Sequence, residues 1–141
     1  MVQREVADRL AAAPGGKSYG ATSVLAQLSC EVRVLRKVPR TVFYPEPNVD
    51  SALVVLRRHA PAPPDELVAL VHAGFAHRRK ALAGSLALTP GAPDGIRDAV
   101  RDALVELDHP ADTRAERLAP GEWERLADAL GRDRIASLRP R

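Results

Sequence analysis

The six residues His59-Ala60-Pro61-Ala62-Pro63-Pro64 constrain this chain more than any other stretch. Three prolines in six positions remove backbone donors and fix φ, so neither a strand nor a helix runs through them. They predict a short stiff linker that divides the chain into residues 1 to 60 and residues 61 to 141. A length of 141 residues accommodates two small units, each with a modest core.

The two parts carry different periodicities. Before the linker, Arg4 to Ala13 is rich in helix formers and ends at the stop signal Pro14-Gly15-Gly16. Tyr19-Gly20 leads into a second apolar helix over Ala21 to Ser29. Val32 to Val38 predicts a strand, and the continuous apolar run Ala52 to Leu56 predicts one buried on both faces. After the linker the period is helical. Leu67, Leu70, Val71, Phe75, Leu82 and Leu86 mark one face of a long helix or a broken pair, and Ile96, Ala99, Val100, Ala103, Leu104 and Leu107 mark another. Thr113-Arg114-Ala115-Glu116 has the capping-box pattern, and Pro120 opens a last helix that buries Trp123, Leu126, Ala127 and Leu130. A small helical bundle follows from this pattern, with Asp133 to Arg141 as a frayed basic tail.

Charge is unevenly spread. Residues 1 to 60 hold nine Lys and Arg against five acids, whereas the remainder holds twelve against thirteen. A polyanion would meet its positive field mainly in the first part, with Arg78-Arg79-Lys80 as the one compact basic cluster of the second. The alternative is a merely solvated arginine surface. The near-neutral second part disfavours DNA binding through its helices. The lone Cys30 gives no disulfide framework, and there is neither a secretory signal pattern nor a run of about 18 apolar residues. A cytoplasmic protein without membrane spans is expected. His72 and His77 fall on different helix faces, His59 and His109 lie in or beside proline-bearing connections, and no second cysteine completes a zinc set, so no metal site is expected.

Between the two strands lies Phe43-Tyr44-Pro45-Glu46-Pro47-Asn48-Val49-Asp50-Ser51. An exposed aromatic held by two prolines suits gripping a flat ring, so Phe43 is the leading candidate, with a core position at a strand end as the alternative. Tyr44 reads as packing. Asn48, Asp50 and Ser51 read as turn chemistry that ties backbone N–H groups ahead of the strand.

The blocks MVQREVADRL, PGGKSYGATSVLAQLSCEV, VPRTVFYPEPNVDSALVVL, FAHRRKALAGSL and ADTRAERLAPGEWERLADAL, in this order, resemble the ribosomal RNA adenine N6-dimethyltransferase family. The last two blocks favour its bacterial small-subunit (kasugamycin-resistance) branch over the erythromycin-resistance methylases. The resemblance implies an α/β fold: the C-terminal remnant of a Rossmann-like methyltransferase domain, helices plus an antiparallel strand pair, followed by a small all-α domain. It implies S-adenosylmethionine as methyl donor and two adjacent adenines near the 3′ end of 16S rRNA, free or in a pre-30S particle, as substrate. It implies Phe43 as the face that stacks on the target adenine, and Arg4, Lys17, Tyr19, Arg78, Arg79 and Lys80 as RNA contacts. The family's glycine-rich donor loop, ribose-binding acid and Asn-Leu-Pro-Tyr motif do not occur in these 141 residues. The chain therefore reads as the back part of such an enzyme, with Val2 and Gln3 ending a central parallel strand and with no activity alone. A non-catalytic RNA- or pre-ribosome-binding fragment is the alternative.

Overall fold

A computed structural model describes residues 1–140. The chain divides into two compact units, Met1–Ala62 and Pro63–Arg141, with the division inside the proline segment. Among the described residues there are seven α-helices and one three-stranded antiparallel sheet.

The first unit runs β1 (Val2–Gln3), α1 (Arg4–Leu10), α2 (Ala21–Ser29), β2 (Cys30–Val38) and β3 (Ser51–Arg58), with a 3-10 turn over Arg40–Val42. The strand order is β1-β3-β2. Strands β2 and β3 pair antiparallel along nearly their whole length, from Cys30 opposite Arg58 to Val38 opposite Ser51. Leu35 is skipped by the ladder between Val34 and Arg36, a bulge that leaves it well exposed. Strand β1 pairs antiparallel with β3 at Val2–Ala52 and Gln3–Ser51.

Two expectations change in this unit. Helix α1 ends at Leu10 rather than Ala13, because side chains of α2 take over its last carbonyls. The Gln27 amide donates to the carbonyls of Leu10 and Ala12 at 2.9 and 2.8 Å, and the buried Ser23 hydroxyl donates to that of Arg9. Ser23 also accepts the N–H of Gly20 at 3.1 Å, so one side chain closes α1 and opens α2. The run Ala52 to Leu56 is not buried on both faces: Ala52 is buried, while Leu53, Val55 and Leu56 are exposed. An apolar run becomes interior only where layers cover both faces of the sheet, and this unit has too few elements to supply them.

The second unit contains only helices among its described elements: α3 (Asp65–Phe75), α4 (Leu82–Ala87), α5 (Ile96–Glu106), α6 (Pro120–Leu130) and α7 (Arg132–Ile135), with a 3-10 turn at Ala115–Arg117. Pro64 precedes α3, whose first turn carries Asp65 and Glu66 where the helix dipole favours them. The apolar face beginning at Leu67 belongs to a broken pair. Residues 76–81 form the break, where the N–H of Leu82 turns to the carbonyl of Thr113 at 2.9 Å and the buried Ser85 hydroxyl donates to that of Ala73 at 2.7 Å. Trp123 is fully buried and stacks on Phe75 with centroids 5.5 Å apart. Gly74 makes room for it: a β-carbon there would lie 2.5 Å from the indole.

The Thr113 capping box does not form. Thr113 donates instead to the carbonyl of Pro110 at 2.6 Å, and the reach-back is made one element later, where the Glu122 carboxylate accepts the N–H of Ala119 at 3.0 Å. The other oxygen of Glu122 meets His109 Nε2 at 2.6 Å, fastening the α5–α6 connection. Residues 133–140 are not a frayed tail, since Ile135 and Leu138 are buried and the N–H of Arg139 donates to the carbonyl of Pro90 at 2.7 Å. The apolar spacing of Ile135 and Leu138, one helical turn apart, gives that segment a core-facing side the basic composition concealed. Arg141 lies outside the described residues. The Arg132 guanidinium bridges Asp128 at 2.9 Å and Glu66 at 3.4 Å, and its pKa is raised first by the hydrogen bond to Asp128 and further by Glu66.

Candidate functional site

The loop between β2 and β3 is short of regular hydrogen bonds yet fastened at several points. Pro39 ends β2, and the 3-10 turn that follows is closed by the N–H groups of Val42 and Phe43 on the carbonyls of Pro39 and Arg40, both at 3.2 Å. The Asp50 carboxylate accepts the N–H of Arg40 at 2.9 Å, the turn role its sequence position predicts. The Asp50 carbonyl accepts the N–H of Arg4 at 3.0 Å, which joins the loop to the start of α1. Across the loop, the Arg40 guanidinium pairs with Glu46 at 3.1 Å. Pro45, after a cis peptide bond, and Pro47 stiffen the remainder.

On this frame the two aromatics exchange the environments expected of them. Phe43 is half-buried rather than exposed. Tyr44, read as packing, has its side chain wholly in solvent. Near the same loop, Gln3, Arg4, Glu5, Asp8, Ser18, Val49 and Asp50 line a shallow concavity of about 370 Å3. Arg4 and Lys17 are exposed and available to an anionic ligand. Tyr19 is not: it is fully buried, so its ring is part of the core of the first unit, and the expected RNA contact at this residue is withdrawn. A lone Tyr beside glycines and a lysine gives no sequence signal to distinguish an exposed loop residue from a core plug.

Arg78, Arg79 and Lys80 lie in the second unit and are exposed. They occupy the turn after α3, not a helix as the sequence suggested, because the α3–α4 face breaks there. Arg78 reaches Glu116 at 3.7 Å, which brings the turn beside Arg114 and Arg117. Those two arginines help line a concavity of about 470 Å3 with His109, Pro110, Asp112, Thr113 and Glu116. The second basic segment was missed in the sequence because Thr113 to Glu116 read as a cap. Among the described residues, no group of three or more His, Cys, Asp or Glu gathers as for a metal ion. No helix is long and apolar enough to cross a membrane.

Comparison with known proteins gives one consistent result. The family model described as ribosomal RNA adenine dimethylase matches residues 1–127. The Ribosomal RNA small subunit methyltransferase A of Lactiplantibacillus plantarum is 44% identical over 135 residues, covering 92% of this chain and 46% of the relative. That of Thermobifida fusca is 43% identical over 133 residues, covering 91% and 45%. Among solved structures, a dimethyladenosine transferase from Plasmodium falciparum superposes with a TM-score of 0.71 at 25% identity, covering 88% of this chain and 53% of the other. The 23S rRNA methyltransferase ErmE superposes with a TM-score of 0.57 at 26% identity, covering 91% and 52%. The chain thus spans about half the length of the relatives it matches.

Proposed function

The chain belongs to the ribosomal RNA adenine dimethylase family, and on that premise we propose that it supplies the RNA-facing part of a cytoplasmic rRNA adenine N6-dimethyltransferase. In this reading the first unit is the C-terminal remnant of a Rossmann-like methyltransferase domain and the second an all-α domain that docks on RNA. The substrate is two adjacent adenines near the 3′ end of 16S rRNA in a small-subunit precursor, and S-adenosylmethionine is the donor. The observation that carries the reading is the fastened loop over residues 39–51, which holds Phe43 directly after its 3-10 turn while Asp50 ties the loop to Arg40 and Arg4.

The chemistry explains what such a loop contributes. The exocyclic N6 of adenine is a weak nucleophile because its lone pair is delocalised into the ring, so catalysis is chiefly a matter of positioning. The base must leave its stack and be held by a face and by acceptors for its N–H hydrogens. The ring of Phe43 supplies the face, and stacking of this kind is worth about 1–3 kcal/mol per base. Arg4, Lys17, Arg78, Arg79 and Lys80 supply phosphate contacts that set register without reading sequence. S-adenosylmethionine supplies the methyl group when bound. Gly15 and Gly16 follow a helix rather than a strand, so they are not the glycine-rich donor loop that the family resemblance implies. No step is therefore assigned to the donor within this chain.

The 141-residue chain alone is expected to bind rRNA and to transfer no methyl groups. The test pairs two assays on undermethylated small subunits: transfer of labelled methyl from S-adenosylmethionine, and binding in a salt series. Substituting Arg78, Arg79 and Lys80 together by Glu should weaken binding and flatten its salt dependence. Methyl transfer by the chain alone, or binding indifferent to this charge reversal, would overturn the reading. The alternative, a purely RNA-binding module, predicts that supplying the other half of a relative restores no transfer.

A further inference from the structure

Tyr44 presents its whole side chain to water, and it is not isolated, since Val42 and Val49 of the same loop are also exposed. The ring is nevertheless presented on a rigid mount. The Arg40–Glu46 ion pair, the Asp50 carboxylate on the N–H of Arg40, and the prolines at 45 and 47 hold the backbone on both sides of it. A ring displayed this way loses little freedom when something stacks on it. The strand that leads into the loop is basic, with Arg36 and Lys37 exposed near the end of β2. A flat apolar face beside cations suits a nucleotide better than an aliphatic partner.

Burial distinguishes Tyr44 from Phe43. Phe43 is half-buried, whereas the Tyr44 side chain lies wholly in solvent, so the two neighbouring rings sit in different surroundings and each can serve a base of its own.

We propose that Tyr44 is a second stacking platform, taking the base next to the one held at Phe43, in single-stranded RNA whose neighbouring bases are unstacked from one another. A duplex is excluded as the occupant because its bases expose edges rather than faces. The proposal rests on the reading of Phe43 given above.

The test titrates the full chain into a short single-stranded RNA carrying 2-aminopurine at one of two adjacent positions. Fluorescence is read for the wild type, Tyr44→Leu, Tyr44→Phe and Phe43→Leu. Because Tyr44 packs against nothing, Leu removes the aromatic face without unpacking the fold. The wild type should change the fluorescence of both labels. Tyr44→Leu should lose the change at one position, keep it at the other, and bind roughly 5- to 150-fold more weakly, the range that base stacking carries. Tyr44→Phe should restore both, and Phe43→Leu should show the converse pattern. Unchanged signals and affinity in Tyr44→Leu would overturn the proposal and leave Phe43 standing. No fluorescence change at either position with the wild type would overturn both together. Loss of self-association in Tyr44→Leu with the RNA signals intact would mark Tyr44 as a protein contact, and would equally overturn it.

Discussion

The two units spend similar apolar composition in opposite ways. Among the described residues, nineteen of the buried hydrophobic side chains belong to the second unit and five to the first. The helices of the second unit turn their stripes toward one another, around Trp123, Leu104 and Leu126. The sheet of the first leaves Leu35, Leu53, Val55 and Leu56 exposed. An amphipathic helix finds cover from any neighbouring helix, whereas a strand's apolar run needs a whole layer on each face. Stability should therefore reside in the second unit, while the first offers surfaces.

The sharpest way to break this contrast is Trp123→Ala. It should cost about 3–5 kcal/mol, the range for deleting a buried aromatic, read as a lower urea midpoint by far-UV circular dichroism. A loss below about 1 kcal/mol would mean that the second unit does not depend on this core. Trp123→Phe should cost clearly less than Trp123→Ala, because the buried indole N–H has no hydrogen-bond partner to lose.

Gly74→Ala comes next. An exposed helical glycine gains roughly 1 kcal/mol from alanine, but here the new methyl would meet the indole at 2.5 Å and Leu82 Cδ1 at 2.9 Å. A net loss of about 1–3 kcal/mol is expected, and a gain in thermal midpoint would contradict the packing described. Glu122→Ala removes both the cap on Ala119 and the bond to His109, and should cost about 1–2 kcal/mol in the same measurement.

In the first unit, Leu35→Lys with Leu56→Lys should change stability by no more than about 0.5 kcal/mol each, since both side chains are more than half exposed. Their effect should appear in sedimentation velocity, as a shift from associated species toward monomer, because charge on an exposed sheet discourages strand-to-strand pairing. A chain that is already monomeric before substitution would remove the argument that this sheet is adhesive.

How much of this was legible depends on what each residue's fate required. The helices of the second unit announce themselves because Ile96, Val100, Ala103 and Leu104 recur at the helical period and bury on neighbours supplied by the same stretch of chain. The two runs around the proline-bearing loop give the strands β2 and β3, while their antiparallel pairing is what the family resemblance implies. Burial of β3 is not legible, since it depends on what lies over the sheet. The position of Phe43 within a stiff loop could be read from Pro45 and Pro47, but the exchange of exposure between Phe43 and Tyr44 is set by the extended turn at Phe43 and the Arg40 contacts. Tyr19 was misplaced for a similar reason: its neighbours signal a loop, while its ring goes into the core. The Arg78–Glu116 pair joins residues far apart in sequence, which local patterns cannot foresee.

The clasp between α1 and α2 has a consequence for variation. Ser23 and Gln27 hold the end of α1 directly, so the intervening segment, residues 13–18, is not what sets the spacing of the two helices. Lengthening such a connection is cheap, about 0.6 kcal/mol for each doubling. Insertions or replacements there should leave the helix pair in place while changing the surface that carries Lys17. This stretch is where the charge displayed beside the helix pair can change without redesigning the scaffold beneath it.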